Sequence, residues 1–451
     1  PQNRALGVLD GIHAALQAAD PAAAVQRSVR RDGNLLFVGQ TSYDLDAARR
    51  VLVIGVGKAV LAMAAGMAAV LGDRLDGGLL ISKHALGQED PSLPSSLTVI
   101  VGEHPVPGEG SLEATRALVA LLRDCHADDL IFCLISGGGS ALMTLPQHDV
   151  PLGDLQALTK LLLASGATIS EINCLRKHLD QIKGGGLARI AHPATLVTLV
   201  LSDVVGSPLS AIASGPTVAD PSTYADALAV LERYGLGEQV PGGIRWALEE
   251  GQLGFRPETV KPGDPLLEKK QTVLVGSNEQ SARAAVEEAR RQGFSSILLS
   301  SYVQGEARQV GELLGGILRQ AATSGDPLSR PACLVAGGET TVVLRGGGFG
   351  GRNLELALGA VEMAAGLERA LLVSLATDGE DGPTDAAGAV VSGETRERAL
   401  TVGMSTAEYL RENNAYPFFE LLDDLILTGP TGTNVNDLFI GVVAPAGWTG
   451  C

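Results

Sequence analysis

Residues 51–71 read VLVIGVGKAVLAMAAGMAAVL, and their reading decides the fold. VLVIGV is a near-continuous apolar run rich in β-branched residues, the pattern of a strand covered on both faces. The glycine turn GVGKA (55–59) follows, and then an alanine-rich stretch of helical character. A buried strand, a glycine turn and a helix make the repeating unit of a parallel α/β sheet. GLLIS (78–82), LTVIVG (97–102), LIFCLIS (130–136) and LVTLVLSDV (196–204) read as further strands of the same kind. Helices at 5–19, 112–125 and 152–164 fall between or beside them, and Thr168 and Glu171 have capping-box spacing that starts another near Ile169.

Further along, the Pro- and Gly-bearing stretch 235–268 suits a domain boundary, and a fresh βαβ unit is expected from QTVLVGSN, with a helix at 279–292, the strand SSILLSS and a helix at 306–322. CLVAGGETTVVLRGG suggests a hairpin around GGE. RNLELALGAVEMAAG is helical, and ALLVSLATDG and NDLFIGVV (436–443) are strands. The expectation is an α/β chain of two domains with mostly parallel sheets. One is Rossmann-like over 1–255 and the other mixed α/β over 256–451. At 451 residues the chain is too long for one ordinary core.

Composition narrows the function. Hydrophobic residues make up 45% of the chain with only 4% aromatics and 57 glycines, which suits a compact α/β protein and excludes disorder. A net charge of −17 argues against nucleic acid and anionic membranes as partners, and no apolar run is long enough to span a bilayer. The five cysteines (Cys125, Cys133, Cys174, Cys333, Cys451) are scattered without C-x-x-C spacing, which suits reduced thiols in a cytoplasmic protein. The chain begins at Pro1 and not at methionine, which leaves a removed leader open.

An acidic protein that binds an anion does so with local cations and backbone dipoles. The glycine loops are therefore the candidate sites, and several of them follow strand-like runs: GVGKA, SGGGSA (136–141), LSDVVG (201–206), GSN (276–278), GGFGGRN (347–353) and TGPTGTN (428–434). Lys58, following Gly57, is expected in the first turn of a helix, where its charge opposes the dipole unless an anion is present. Ser136, Gly137, Gly138, Gly139 and Ser140 offer amides and hydroxyls to phosphate oxygens. Asp203 closes a strand at its carboxyl end, where it can hold Mg²⁺ or accept a hydroxyl proton. Arg352 opens a helix and suits bidentate recognition of a carboxylate or phosphate.

Thr431, Gly432, Thr433 and Asn434 are rich in donors, Asn278 and Glu339 sit on two further glycine turns, and TDGEDGPTD places Asp378, Asp381 and Asp385 where a hard cation or an ordinary Asp-Gly turn fits equally. On 169–182, Asn173, Arg176, Lys177 and Asp180 share one face opposite an apolar stripe, the pattern of a solvated helix surface. His104, before a proline, reads as structural.

Taken in order, GKA, HPVP, SGGGSAL, GATISEIN–RKHL–IKGGGLA, LSDVVGSPLSAIASGPT, GGETTV, GGRNLELAL, TDGEDGPTDAAGA and TGPTGTNVNDL resemble the type II glycerate kinases, or glycerate 2-kinases, from about residue 55 to 440. The resemblance implies two α/β domains with the active site in the cleft between them and a MOFRL-type region at about 333–443. It also implies ATP as donor, Mg²⁺, and D-glycerate as acceptor at its 2-hydroxyl. Lys58, Arg352 and Asp203 would be catalytic, with Asp203 and Asp378 on the metal and Gly57, residues 136–140, Asn278, Glu339 and residues 431–434 around the nucleotide. Where the family often shows GGRNQE this chain has GGRNLE, so Leu354 lacks a side-chain amide. A homodimer is the expected assembly. The alternatives are an NAD(P)H-dependent hydroxypyruvate reductase, a kinase for another small hydroxy acid, and a non-catalytic sensor. No strand here leads into GxGxxG with a following acid, as the reductase would require.

Overall fold

A computed structural model describes residues 2–87 and 93–445, with side chains from residue 9. The chain divides into two compact units, one of Pro21–Val275 and one of Pro1–Asp20 with Gly276–Cys451.

In the first unit, β1 (Val29–Asp32), β2 (Leu35–Val38) and β3 (Thr41–Asp44) form an antiparallel meander. The main sheet follows with β4 (Val51–Val56), β5 (Gly77–Ser82), β6 (Leu97–Val101), β7 (Leu130–Ile135), β8 (Thr195–Leu201) and β9 (Lys270–Gly276), in the spatial order β6-β5-β4-β7-β8-β9. The pairs β4–β5, β5–β6, β4–β7 and β7–β8 are all parallel. This is the doubly wound order whose direction reverses between β4 and β7, where open α/β sheets bind ligands. β4 and β7 are buried at every residue, as the absence of alternation required. Beside the sheet, the helices Leu152–Ala164, Ile169–His178, Tyr224–Arg233 and Gly242–Gln252 share their own core around Leu158, Leu175, Tyr224 and Ile244.

In the second unit, β10 (Ser295–Val303), β11 (Ala332–Gly338), β12 (Ala370–Ala376), β13 (Gly388–Ser392), β14 (Leu425–Ile426) and β15 (Asp437–Val443) lie in the order β10-β11-β15-β12-β13-β14. Only β10–β11 is parallel, and the remaining pairs are antiparallel. The sheet carries apolar clusters on both faces, one around Ala285, Val335 and Ile440 and the other around Leu318, Leu334 and Phe439.

Four expectations change. QTVLVG, read as opening the second unit, is β9 at the edge of the first sheet. The stretch 235–268 lies within that unit, where Asp220 N–H donates to Val260 O and Val260 N–H to Gly184 O. No hairpin forms around GGE, because β11 takes β15 as its antiparallel partner and residues after Gly338 make only an isolated bridge from Thr341 to Glu306. The helix from Ile169 stops at His178, so Asp180 lies beyond it. Four cysteines are buried free thiols, and Cys451 lies outside the described residues. Among the described residues no helix is long and apolar enough to cross a membrane.

Candidate functional site

The turns after β4 and β7 meet side by side at the reversal point of the first sheet. Lys58 N–H donates to Gly137 O at 2.9 Å, and Ala59 N–H donates to Ser136 Oγ at 3.0 Å. The helix Val60–Leu71 has no side-chain cap of its own. Ser136, 1% exposed, is thus spent on holding the two turns together and is not among the residues lining the cavity described next. Lys58 stands just before the cap residue Ala59, outside the first helical turn where it was expected, and its side chain is exposed. A Cβ at Gly57, whose φ is +132°, would overlap Ser136, and one at Gly137 would overlap the Asp203 carboxylate. Both glycines are close-approach positions that no side chain can occupy. Gly57→Ala and Gly137→Ala should each cost about 1–3 kcal/mol of stability, read from urea unfolding. Wild-type midpoints in both would show that the turns are slack.

Gly137, Gly138, Gly139 and Ser140 line a cavity of about 210 Å³, shared with His104, Asp203, Asn173, Arg176, Asp180 and Lys183. A Cβ at Gly138 would lie 3.4 Å from Lys58 Cγ and 3.1 Å from His104 Cδ2, so the lysine stem and the imidazole flank the same glycine. Burial lowers the His104 pKa below its usual 6.5, and Lys58 and Lys83 add to the effect, so the ring is neutral at pH 7. Asp203 follows the end of β8 as the strand pattern required.

The opposite wall comes from Ile169–His178, whose start is fixed by the capping box of Thr168 and Glu171. Asn173 Oδ1 accepts from Ser214 Oγ at 2.9 Å, and Ser214 Oγ lies 2.8 Å from Ser140 Oγ. Lys183 Nζ reaches Asp180 Oδ2 at 2.8 Å, Met143 O at 3.1 Å and Thr144 Oγ1 at 3.4 Å. Lys177 pairs instead with Asp220 at 3.1 Å. Burial lowers the Arg176 pKa, partly opposed by the charge of Asp180.

In the second unit Arg352 opens the helix Arg352–Ala364. Its Nε and Nη2 donate to the two Asp437 oxygens at 2.7 and 3.0 Å, and Nη1 donates to Glu339 Oε1 at 2.8 Å. Burial pushes the Asp437 carboxyl up to about 6, outweighing Arg352. Burial alone would lower the Arg352 pKa, but Asp437 and Glu339 hold it raised. Arg352 is therefore already neutralised, and only one N–H on each Nη remains for a ligand. Asn278 Nδ2 donates to Val435 O and Asp437 O, both at 2.9 Å, while its Oδ1 has no hydrogen-bond partner among the described residues.

Asp381 caps the same helix, accepting from Asn353 N and Leu354 N at 3.0 and 2.8 Å, and Asp385 accepts from Tyr416 Oη at 2.8 Å. Asp378 Oδ1 accepts from Glu380 N. Two of the three aspartates in TDGEDGPTD are thereby structural. Among the described residues no three His, Cys, Asp or Glu side chains group to hold a metal. Within TGPTGTN, Thr431 Oγ1 donates to Thr377 O, Thr433 Oγ1 to Ala19 O, and Asn434 Oδ1 accepts from Asn436 N, while Gly432 is exposed. Its hydroxyls fasten the loop down.

The first unit therefore groups Lys58, Gly137–Gly139, Ser140 and Asp203 as the sequence suggested. Arg352, Glu339, Asn278, Asp378 and residues 431–434 belong to the second. Asn173, Arg176 and Ser214 were missed as site residues. The first two lie on a helix face that reads as solvated, and their only signal was proximity in sequence to glycine-rich neighbours.

Residues 8–249 match the model of the domain of unknown function DUF4147, and residues 332–437 match the MOFRL family. A glycerate 2-kinase of Pyrococcus horikoshii is 40% identical over 430 residues, spanning 95% of each chain. A protein of Agrobacterium vitis with the provisional name hydroxypyruvate reductase is 41% identical over 86% of both chains. The crystal structure of a glycerate kinase from Thermotoga maritima superposes with a TM-score of 0.87 at 36% identity, covering 98% of this chain and 100% of that one. With one family model matching over half of its length and such relatives spanning nearly all of it, the chain belongs to the glycerate 2-kinase family.

Proposed function

We propose that this chain transfers the γ-phosphoryl group of ATP to the 2-hydroxyl of D-glycerate, giving 2-phosphoglycerate and ADP. The observation that carries the reading is the grouping of the triple-glycine turn and Asp203 around one cavity, with the Lys58 stem beside Gly138, at the reversal point of a doubly wound sheet. Phosphoryl transfer needs positioning and charge neutralisation more than covalent chemistry. The amides of 137–139 cradle phosphate oxygens, and Lys58 neutralises charge on the transferring group. Asp203 either takes the proton of the attacking 2-hydroxyl, as the new O–P bond forms and the bond to the ADP oxygen breaks, or holds Mg²⁺.

Mg²⁺ fits this donor set, since it commonly takes one or two carboxylates together with substrate phosphates. Asp203 would hold it in the first unit and Asp378 is the candidate in the second. When bound, the ion supplies neutralisation of the phosphate oxygens. Arg352 is retained as a second cation for the transferring group or the nucleotide, working with the N–H groups that its two carboxylates leave over.

Purified protein with ATP, Mg²⁺ and D-glycerate should release ADP and show phosphorus coupling at carbon 2 by NMR. The name carried by the Agrobacterium relative favours a second reading, a hydroxypyruvate reductase. NADH oxidation with hydroxypyruvate, in the absence of ADP formation, would replace the kinase reading with that one.

A further inference from the structure

We infer that the Arg176 wall of this cavity is the hydroxy-acid subsite, with the Arg176 guanidinium anchoring the carboxylate and Ser140 Oγ accepting a hydrogen bond from a hydroxyl of the acid. The inference rests on the kinase reading for the identity of the acid, and on the geometry alone for the chemistry of the subsite.

Three cations lie on or near this wall, and two of them are committed. Lys183 has three N–H bonds and three acceptors, Asp180, Met143 O and Thr144, while Lys177 is turned to Asp220. Arg176 lines the cavity, and among the described residues its guanidinium makes no hydrogen bond or ion pair. Asp180, already paired with Lys183, offsets the burial of this half-buried guanidinium only in part, and a bound anion would relieve the rest. The cavity size suits a small acid. About 150 Å³ is enough to hold benzene, so 210 Å³ has room for a three-carbon acid.

The hydroxyl relay decides which anion. An amide oxygen can only accept, so the Ser214 proton must point at Asn173 Oδ1. Ser214 Oγ then has no proton left for Ser140, and Ser140 must be the donor in their 2.8 Å contact. The oxygen of Ser140 consequently offers only lone pairs to the cavity. Lone pairs repel an ionised phosphate oxygen and welcome an O–H. This reassigns Ser140 from the phosphate cradle to the acid. Ser214 is fully buried with φ +60°, beside Ala213 at +49°, and backbone held in this region persists only where its surroundings over-determine it. A ligand carrying both a carboxylate and a hydroxyl matches the wall, and a phosphate group with no O–H does not.

The test compares wild type, Arg176→Gln and Arg176→Lys, with D-glycerate and its methyl ester as acceptors. Arg176→Gln should raise KM for D-glycerate on the order of 10²-fold and leave KM for ATP unchanged. The wild-type preference for acid over ester should collapse in the same variant, an effect that mere loosening of the helix would not produce. Arg176→Lys, which keeps the charge without the fork, should fall between. An unchanged KM for D-glycerate in Arg176→Gln overturns the inference, as does a loss confined to ATP or inorganic phosphate. Should wild type show no kinase turnover, the kinase reading fails by itself. Calorimetric titration of D-glycerate into wild type and Arg176→Gln then decides the subsite: binding lost in the variant upholds it, and equal or absent binding in both overturns it.

Discussion

Replacing Lys58 by methionine should lower turnover of ATP and D-glycerate on the order of 10²–10³-fold and leave the thermal unfolding transition where it is. The side chain is exposed and its ammonium has no hydrogen-bond or ion-pair partner among the described residues, so little folding energy is at stake. The bond that matters to the fold is made by its backbone, from N–H to Gly137 O, and methionine keeps it. Methionine also keeps an apolar stem beside Gly138 and His104. What is lost is one positive charge at the positive end of a helix, where its cost is offset only by an anion. If that anion is the transferring group, kcat falls while KM for D-glycerate barely moves. Near-normal kcat would remove Lys58 from the chemistry, and a rise in KM for D-glycerate alone would place it on the acid instead.

The parts legible in the sequence are those set by neighbours along the chain. VLVIGVGKA announces its strand and turn because burial on both faces abolishes alternation, and Thr168 with Glu171 announces a helix start through a capping box closed within one turn. The strand order of the first sheet makes those local units meaningful by bringing the turns after β4 and β7 together. The misread strands depend on distant partners. GGETTVVL reads as a hairpin until β15, roughly a hundred residues later, pairs with β11. QTVLVG reads as a first strand because nothing local reports that it closes an earlier sheet. Arg176 is hidden for the opposite reason. Its helix carries a charged face like that of any surface helix, and only packing shows that Lys177 and Lys183 form ion pairs while, among the described residues, Arg176 forms none. Propensity and periodicity describe what a segment can do alone; which cation is left over is settled by packing.

Arg352→Ala should destabilise the protein by roughly 3–5 kcal/mol, so it cannot serve as a clean test of catalysis. The arginine holds both oxygens of Asp437, whose side chain is wholly buried, and its removal leaves that carboxylate without its cation. The carboxyl is already raised from 3.8 to about 6 by burial, and losing Arg352 removes a partner that holds it down, so it rises further. A carboxyl bound more tightly to its proton in the folded state than in the unfolded one gains folding stability as pH falls through the folded pKa towards 3.8. The defect of Arg352→Ala should therefore be greatest above neutrality and shrink as pH falls towards about 6, below which wild type gains stability in parallel, read from urea unfolding at each pH. Adding Asp437→Asn removes the buried charge and should recover most of the lost stability in the double variant. Turnover separates the two roles. If Arg352 only pairs with Asp437, the double variant regains activity along with stability. If its remaining N–H groups also meet the substrate, the double variant folds and stays slow. Equal stability of Arg352→Ala and wild type at every pH would show that Asp437 does not depend on this cation.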